Sequence, residues 1–188
     1  MRRCRIKLRK GEIGGSSATW KRPFFAVSVL FLFLSSLFFP AFAQAADRAK
    51  AEVLEGEAIV LIRENNLDSA ITKIRESISA DASYAPAYVQ LGFLFLEKNS
   101  LDEAMRSFEK ALKLNPGSHT AKTGIGIIFS RKGDLNAAEA ALKEALVLNP
   151  DPVRTHYELG IVYEKLGQTD KAIGEFKDGI DKFRQGRK

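Results

Sequence analysis

Three residues in this sequence have side chains that often carry chemistry: one cysteine and two histidines. Cys4 lies in a basic arm at the N-terminus, whereas His119 and His156 lie in the second half of the chain. Neither histidine has another metal-ligating residue at a spacing typical of a metal site. We therefore expect no metal site. Because Cys4 is the one thiol of the sequence and lies in this arm, we expect no disulfide and no thiolate catalysis in the rest of the chain.

The carboxylates also lack the arrangement of an active site. Asp102 and Glu103 are adjacent, but they begin a predicted helix, where the helix dipole favours negative charge. The sequence contains no phosphate-binding loop, nucleophile elbow or paired-carboxylate motif. We expect a protein that is not an enzyme and needs no cofactor. An accessory subunit of an enzyme complex is the less favoured alternative.

Charge is distributed unevenly along the 188 residues. Residues 1–23 hold eight of the 29 Lys and Arg residues but only one of the 23 acidic residues. The rest of the chain therefore has a net charge of −1, although the whole chain has +6. A nucleic-acid-binding domain needs a basic surface on its folded part. We therefore exclude nucleic acid as a partner.

The segment that follows the basic arm explains its charge. Residues 24–42 are uncharged and mostly apolar. Pro40 and the alternating small residues Ala41, Ala43 and Ala45 lie at the end of this segment and just beyond it. A basic arm (residues 1–23), an apolar core and alternating small residues are typical of a secretory signal peptide.

We predict a signal peptide over residues 1–45, with cleavage before Gln44 or Ala46. The mature chain, residues 46–188, would then be exported, most simply to the periplasm. The alternative is an uncleaved single-pass membrane anchor formed by residues 24–42, a length that can span a bilayer.

The rest of the chain repeats itself with a period of 34 residues. Three columns recur at this spacing: Gly92, Gly126 and Gly160; Ala70, Ala104, Ala138 and Ala172; and Ile74, Phe108, Leu142 and Phe176. Three columns in one register favour a repeat architecture over coincidence. They divide the domain into four units: a degenerate unit one, 51–84, then unit two, 85–118, unit three, 119–152, and unit four, 153–186.

Each unit has the pattern of two helices joined by a tight turn. The second helix of unit two has apolar residues on one helical face, namely Leu101, Ala104, Met105, Phe108, Ala111 and Leu112. The turns hold residues that accept the left-handed conformation at a helix end, namely Asn65, Asn99, Gly133 and Gly167. Asn-Pro at 115–116 and 149–150 should end second helices. We also expect a capping box between Ser100 and Glu103.

The glycine column needs a physical reason, because a glycine inside a helix costs about 1 kcal/mol relative to alanine. Its recurrence is explained if the two helices of a unit cross there without room for a Cβ atom. We expect the alanine column of the second helix to be the facing partner. Gly124 and Gly126 should make the first helix of unit three a weak one.

This pattern resembles the tetratricopeptide repeat family, whose unit carries an aromatic residue, Leu-Gly and a second aromatic, followed by Ala, Phe, Ala and Pro. Unit two matches through Tyr88, Leu91, Gly92, Phe95, Ala104, Phe108, Ala111 and Pro116. Lys122 replaces the first aromatic in unit three, and unit four has Gly179 for the last alanine and no closing proline. The resemblance implies an all-α, right-handed superhelical solenoid of helix-turn-helix repeats.

The resemblance further implies a non-catalytic scaffold that binds segments of other proteins along the first helices. The residues predicted to line this groove are Val89, Phe93, Leu96, Thr123, Ile127, Arg131, Tyr157, Ile161 and Lys165. In some members a set of cations clasps the C-terminal carboxylate of a partner. The corresponding positions here, in two alternative registers, contain one cation, Arg154, so we expect no such clasp.

The sequence does not identify the partner or decide whether a partner fills the groove. The helix from Tyr88 to Leu96 is apolar nearly all round, so Val89, Phe93 and Leu96 are covered either by a partner or by neighbouring repeats. We expect cell-envelope proteins as partners. Self-association through Phe93 or the final helix is a further alternative.

Overall fold

The computed structural model describes residues 24–149 and 153–186, with side chains described from residue 44 onward. Within these ranges the fold is entirely helical, with eight α-helices and no strand, which confirms the predicted all-α class. The helices are α1 (Phe24–Arg63), α2 (Leu67–Ala80), α3 (Ala85–Glu97), α4 (Leu101–Leu114), α5 (His119–Lys132), α6 (Leu135–Leu148), α7 (Val153–Lys165) and α8 (Thr169–Gln185).

The chain divides into two compact units between Ala41 and Phe42, and the repeats lie in the second. The predicted basic arm, residues 1–23, lies outside the described residues, and residues 24–43 are described only as the backbone of α1. The signal peptide and the alternative anchor therefore stay predictions. Among the residues with described side chains, no helix has the length and apolar composition that crossing a membrane requires.

Each repeat turns between its two helices through one residue in the left-handed conformation, as predicted. The φ angles are 59° at Asn65, 57° at Asn99, 84° at Gly133 and 73° at Gly167. The N–H of the next residue donates to the carbonyl five positions earlier in every turn, at 2.8 to 3.0 Å. This is the Schellman pattern, which satisfies carbonyls left free at a helix end.

The caps at the start of the second helices follow the sequence pattern only in part. The side chains of Asn66 and Asp134 accept hydrogen bonds from the N–H groups of Ser69 and Ala137. The predicted capping box is wrong, because the side chain of Ser100 makes no cap hydrogen bond. The Glu103 carboxylate instead lies 3.7 Å from the Arg106 guanidinium, one turn along the same helix.

The glycine column marks the helix crossing of each repeat, but its facing partner differs from the prediction. A Cβ atom on Gly92 would lie 2.6 Å from the Phe108 ring, and one on Gly160 would lie 2.4 Å from the Phe176 ring. On Gly126 it would lie 2.6 Å from Leu142 but 3.4 Å from the carbonyl of Ala138. The large side chain one turn beyond the alanine reaches over the glycine, whereas the alanine brings only its backbone close.

Each repeat stacks on the first helix of the next repeat. The second helix of each unit packs on the first helix of the next: α2 on α3, α4 on α5, and α6 on α7. The first helices also contact one another, α3 with α5 and α5 with α7, whereas no comparable contact joins second helices in the described part of the chain. First helices therefore line the inner side of the stack, as in other helical solenoids.

Candidate protein-binding surface

The inner side of the stack is formed by α3, α5 and α7, and we call it the first-helix surface. It carries the nine residues predicted from the sequence to line a groove, and they differ in exposure. Leu96, Thr123 and Ile127 are buried. The other six are half-buried or exposed, namely Val89, Phe93, Arg131, Tyr157, Ile161 and Lys165.

Three of these residues belong to contacts between neighbouring helices. The hydroxyls of Thr123 on α5 and Thr155 on α7 are 2.7 Å apart in a buried hydrogen bond. Tyr157 lies against Phe176 of α8, with 5.8 Å between ring centroids. Leu96 is buried in the core, and the residue that shares the register of Arg131 and Lys165 is its exposed neighbour, Glu97.

Phe93 is covered on two sides by the chain itself. Its ring meets the buried Phe108 ring edge-on, with centroids 5.1 Å apart. The guanidinium carbon of Arg154 lies 4.1 Å from the centroid of the Phe93 ring. Since Phe93 belongs to unit two and Arg154 to unit four, this cation–π contact crosses the unit between them. Such contacts contribute about 1 kcal/mol, so Arg154 covers part of the Phe93 ring and links α7 to α3.

A repeated hydrogen bond joins the ends of successive first helices. Arg131 Nη1 at the end of α5 donates to the carbonyl of Leu96 in α3, at 2.6 Å. Lys165 Nζ at the end of α7 donates to the carbonyl of Ser130 in α5, at 3.3 Å. Both bonds reach back 35 residues, and both place a cation at the negative end of a helix dipole.

One carboxylate lies among these cations. Glu158 is one turn after Arg154 on α7, its side chain is 18% exposed, and it lies 4.0 Å from the Arg154 guanidinium. Burial raises the pKa of Glu158, and the charges of Arg154, Arg131 and Lys165 oppose that rise. Three cations therefore act on one carboxylate here, and Glu97 adds a second negative charge, so the excess of positive charge on the first-helix surface is small.

The comparison with known families rests on the repeats. Residues 85–118 match a family model described as tetratricopeptide repeat, and residues 126–167 match a second one described as TPR repeat. This chain is a tetratricopeptide repeat protein. The first match has the bounds predicted for the second TPR unit, and the other joins the third TPR unit to the fourth.

Solved structures share the TPR fold at low sequence identity. A crystal structure of MamA is 22% identical, with a TM-score of 0.59 over 76% of this chain and 84% of that one. A thermophilic TPR protein of Thermus thermophilus is 20% identical, with a TM-score of 0.65 over 70% of this chain and 73% of that one.

The APC/C hetero-tetramer Cut9–Hcn1 contains a third similar chain. It is 21% identical, with a TM-score of 0.68 over 72% of this TPR chain but only 26% of that one. No curated protein matches the sequence significantly. At these identities the structural likeness shows the fold alone.

The two histidines of the TPR domain join packed elements. His156 on α7 is buried, and its Nδ1 lies 2.9 Å from the Glu175 carboxylate on α8. His119 Nε2 lies 3.3 Å from the Asn149 amide. Within the described residues, no three or more His, Cys, Asp or Glu side chains are grouped so that they could hold a metal ion.

Sequence reasoning missed the joint role of Arg154 and Glu158 on the TPR inner side. A signal was present, because Glu158 shares its register with Gly56, Gln90 and Gly124. Glu158 is therefore the one charged residue at this position of the four units. No sequence pattern indicates the contact between Arg154 and Phe93, because that contact depends on how strongly the stack curves across two repeats.

Proposed function

We propose that this TPR protein is a non-catalytic scaffold of the cell envelope and that it binds segments of partner proteins on its first-helix surface. TPR repeats indicate protein partners in general. The observation that carries the proposal is the group formed by Ile161, Arg131 and Lys165. Arg131 and Lys165 are exposed and Ile161 is half-buried on the first-helix surface.

The charge of this surface favours an acidic partner segment. The charges of Arg131, Arg154 and Lys165 act on the Glu158 carboxylate, and with Glu97 also counted the surface keeps a small local excess of positive charge. Complementary charge speeds association and selects partners, and it is screened by salt. The half-buried Ile161 lies between Glu158 and Lys165 along α7 and offers an apolar contact for the same segment.

The envelope location rests on the sequence of residues 1–45, where a basic arm precedes an apolar core and alternating small residues. The intact mass of the protein from producing cells tests it. A chain that starts at Gln44 or Ala46 supports a soluble exported form. A chain that keeps residues 24–42 supports the membrane-tethered alternative. Arg48, which holds α1 to Asp81, remains in the chain after either cleavage.

Photo-crosslinking in cells tests the binding surface. A photoreactive amino acid replaces Ile161 or Lys165 on the first-helix surface, and Val147 serves as the control because it is 84% exposed on α6, away from that surface. We expect the same partner protein to be captured from both inner positions and not from Val147. Capture of that protein equally well from Val147, or no adduct from either inner position, would overturn the proposed surface.

A further inference from the structure

The last repeat ends in an open apolar groove between α7 and α8. The groove has a volume of about 410 Å³ and is lined by Val153, Tyr157, Phe176, Gly179, Ile180 and Phe183. Tyr157, Ile180 and Phe183 are each more than half exposed. In units two and three, the residues in the same register lie where the first helix of the next repeat packs. The groove therefore has the shape and polarity that accept the first helix of a repeat.

The other end of the stack presents such a helix. Val53, Gly56 and Val60 form a stripe on α1; Val53 is 63% exposed and Val60 is 51% exposed. A Cβ atom on Gly56 would meet nothing within 4 Å. The positions in the same register on later first helices face the preceding repeat and are mostly buried: Ala87 and Leu94 on α3, Ala121, Gly124 and Ile128 on α5, and Thr155 and Val162 on α7.

The two ends match in size as well as in register. Inside the stack, Gly124 accepts the Phe108 ring, because a Cβ atom there would lie 2.3 Å from it. A first helix placed on the open groove in the same register would bring Gly56 against Phe176. Elsewhere in the stack, the larger Gln90 and Glu158 share the register of Gly124, and they follow Ile74 and Leu142, which have no ring. Glycine thus coincides with a ring at both places.

Two hydrogen bonds of the internal interfaces lie at positions whose counterparts at the two ends can also meet. The buried Thr123–Thr155 hydrogen bond corresponds in register to Tyr157 and Val53, an apolar pair of exposed side chains. The bond from Arg131 to the carbonyl of Leu96 corresponds to Arg63 and the carbonyl of Glu164. Arg63 would therefore reach the negative end of α7, beside the Glu164 carboxylate.

We propose that a second copy of this chain occupies the open groove, with the α1 stripe of one copy packed on the α7–α8 face of the other. Copies then join head to tail and extend the stack. Because the two surfaces differ, the contact is heterologous and does not close on itself unless the rotation between copies brings the ends together.

One pair of like charges opposes this contact. Lys98 and Lys132 bridge to Asp68 and Asp102 at the first two internal interfaces, but the corresponding pair between copies is Glu64 and Asp170. Exposed charges of like sign repel weakly and are screened by salt. We therefore expect a reversible association that dissociates on dilution.

Disulfide trapping in cells tests the proposal with full-length chains. Two copies with different tags both carry Cys4→Ser; one also carries Val53→Cys and the other Tyr157→Cys. Tyr157 has the register of Thr123, and Val53 has the register of Thr155. Because the hydroxyls of those two threonines are 2.7 Å apart, the two thiols should lie within reach of a disulfide. We expect a mixed disulfide after mild oxidation, and none when Val147→Cys replaces Tyr157→Cys.

A matched pair of glycine variants tests the fit of the two ends. Gly56→Leu in the Val53→Cys copy should lower the mixed product about tenfold or more, because a side chain overpacks the contact with Phe176. Gly174→Leu in the same copy should not, although Gly174 is equally open. Absence of the mixed disulfide would overturn the proposal. So would a product of Tyr157→Cys with itself, which indicates two-fold pairing of the grooves, or an equal yield with Gly56→Leu.

Discussion

At the scale of single residues, the glycines of this chain lie in two opposite environments. Gly92 and Gly124 lie on either side of the Phe108 ring, and a Cβ atom on either would overlap it. Gly174 on α8 and Gly56 on α1 have nothing within 4 Å. Helix propensity treats all four alike, at about 1 kcal/mol below alanine. Packing within the chain separates them, because only the first two make room for a buried ring of the same chain.

This difference predicts opposite signs for one substitution. Gly124→Ala should lower the free energy of unfolding by about 1–3 kcal/mol, because overpacking against a ring that is fully buried outweighs the gain in helix propensity. Gly174→Ala should raise it by about 1 kcal/mol or less. Chemical denaturation of both variants measures the two changes. Stabilisation by Gly124→Ala would show that the ring moves freely and that the glycine is not needed for packing.

At the scale of elements, the first repeat is fastened by a buried carboxylate. Asp81 ends α2; it accepts hydrogen bonds from the Ser83 hydroxyl at 2.6 Å and from Arg48 of α1 at 2.5 Å. The Ser83 hydroxyl, and then Arg48, lower the pKa of Asp81 below its ordinary value of 3.8. Arg48 also lies over the Tyr84 ring, 4.9 Å from its centroid. These contacts tie α1, α2 and α3 together where the helical repeat pattern is weakest.

Asp81→Asn should therefore destabilise the protein in a pH-dependent way. The folded state favours the ionised carboxylate, so its contribution is fully present above pH 3.8 and is lost as the pH falls through the lower pKa of the folded state. At neutral pH we expect a loss of about 1.5–3 kcal/mol, typical of hydrogen bonds to a charged group. Thermal unfolding across pH should show the gap between the two proteins closing in acid. A gap that is equal at acidic and neutral pH would contradict this role.

The helices and turns of the stack can be predicted from the sequence, but the contacts that cover its surface cannot. The glycine and asparagine turns, the helix ends at Asn115 and Asn149 and the 34-residue register follow from local preferences, and the structure has them. Which side chain faces the crossing glycine depends on how far each side chain extends between two tilted helices. Phe108, and not the predicted alanine, therefore lies against Gly92. The cover of Phe93 by Arg154 depends on curvature over two repeats, which local preferences do not encode.

At the scale of the whole molecule, a TPR stack offers two kinds of surface. The inner side has excess positive charge around Glu158 and suits a partner segment. The ends, α1 and the α7–α8 groove, carry the two halves of an ordinary contact between repeats and suit a second copy. The two surfaces are separate except at Tyr157, which was predicted for the inner groove and lines the terminal one. Loss of one kind of binding should therefore leave the other in place.

Binding of the partner captured from Lys165 tests the central claim most directly. Ile161 is half-buried on the inner side and belongs to none of the three core clusters, so Ile161→Glu should change binding without unfolding the protein. A titration with full-length protein should show affinity lowered by about tenfold or more, with helicity retained. Val147→Glu, at a position on α6 that is 84% exposed, should bind like wild type. Unchanged affinity in the folded Ile161→Glu protein would contradict partner binding on the first-helix surface.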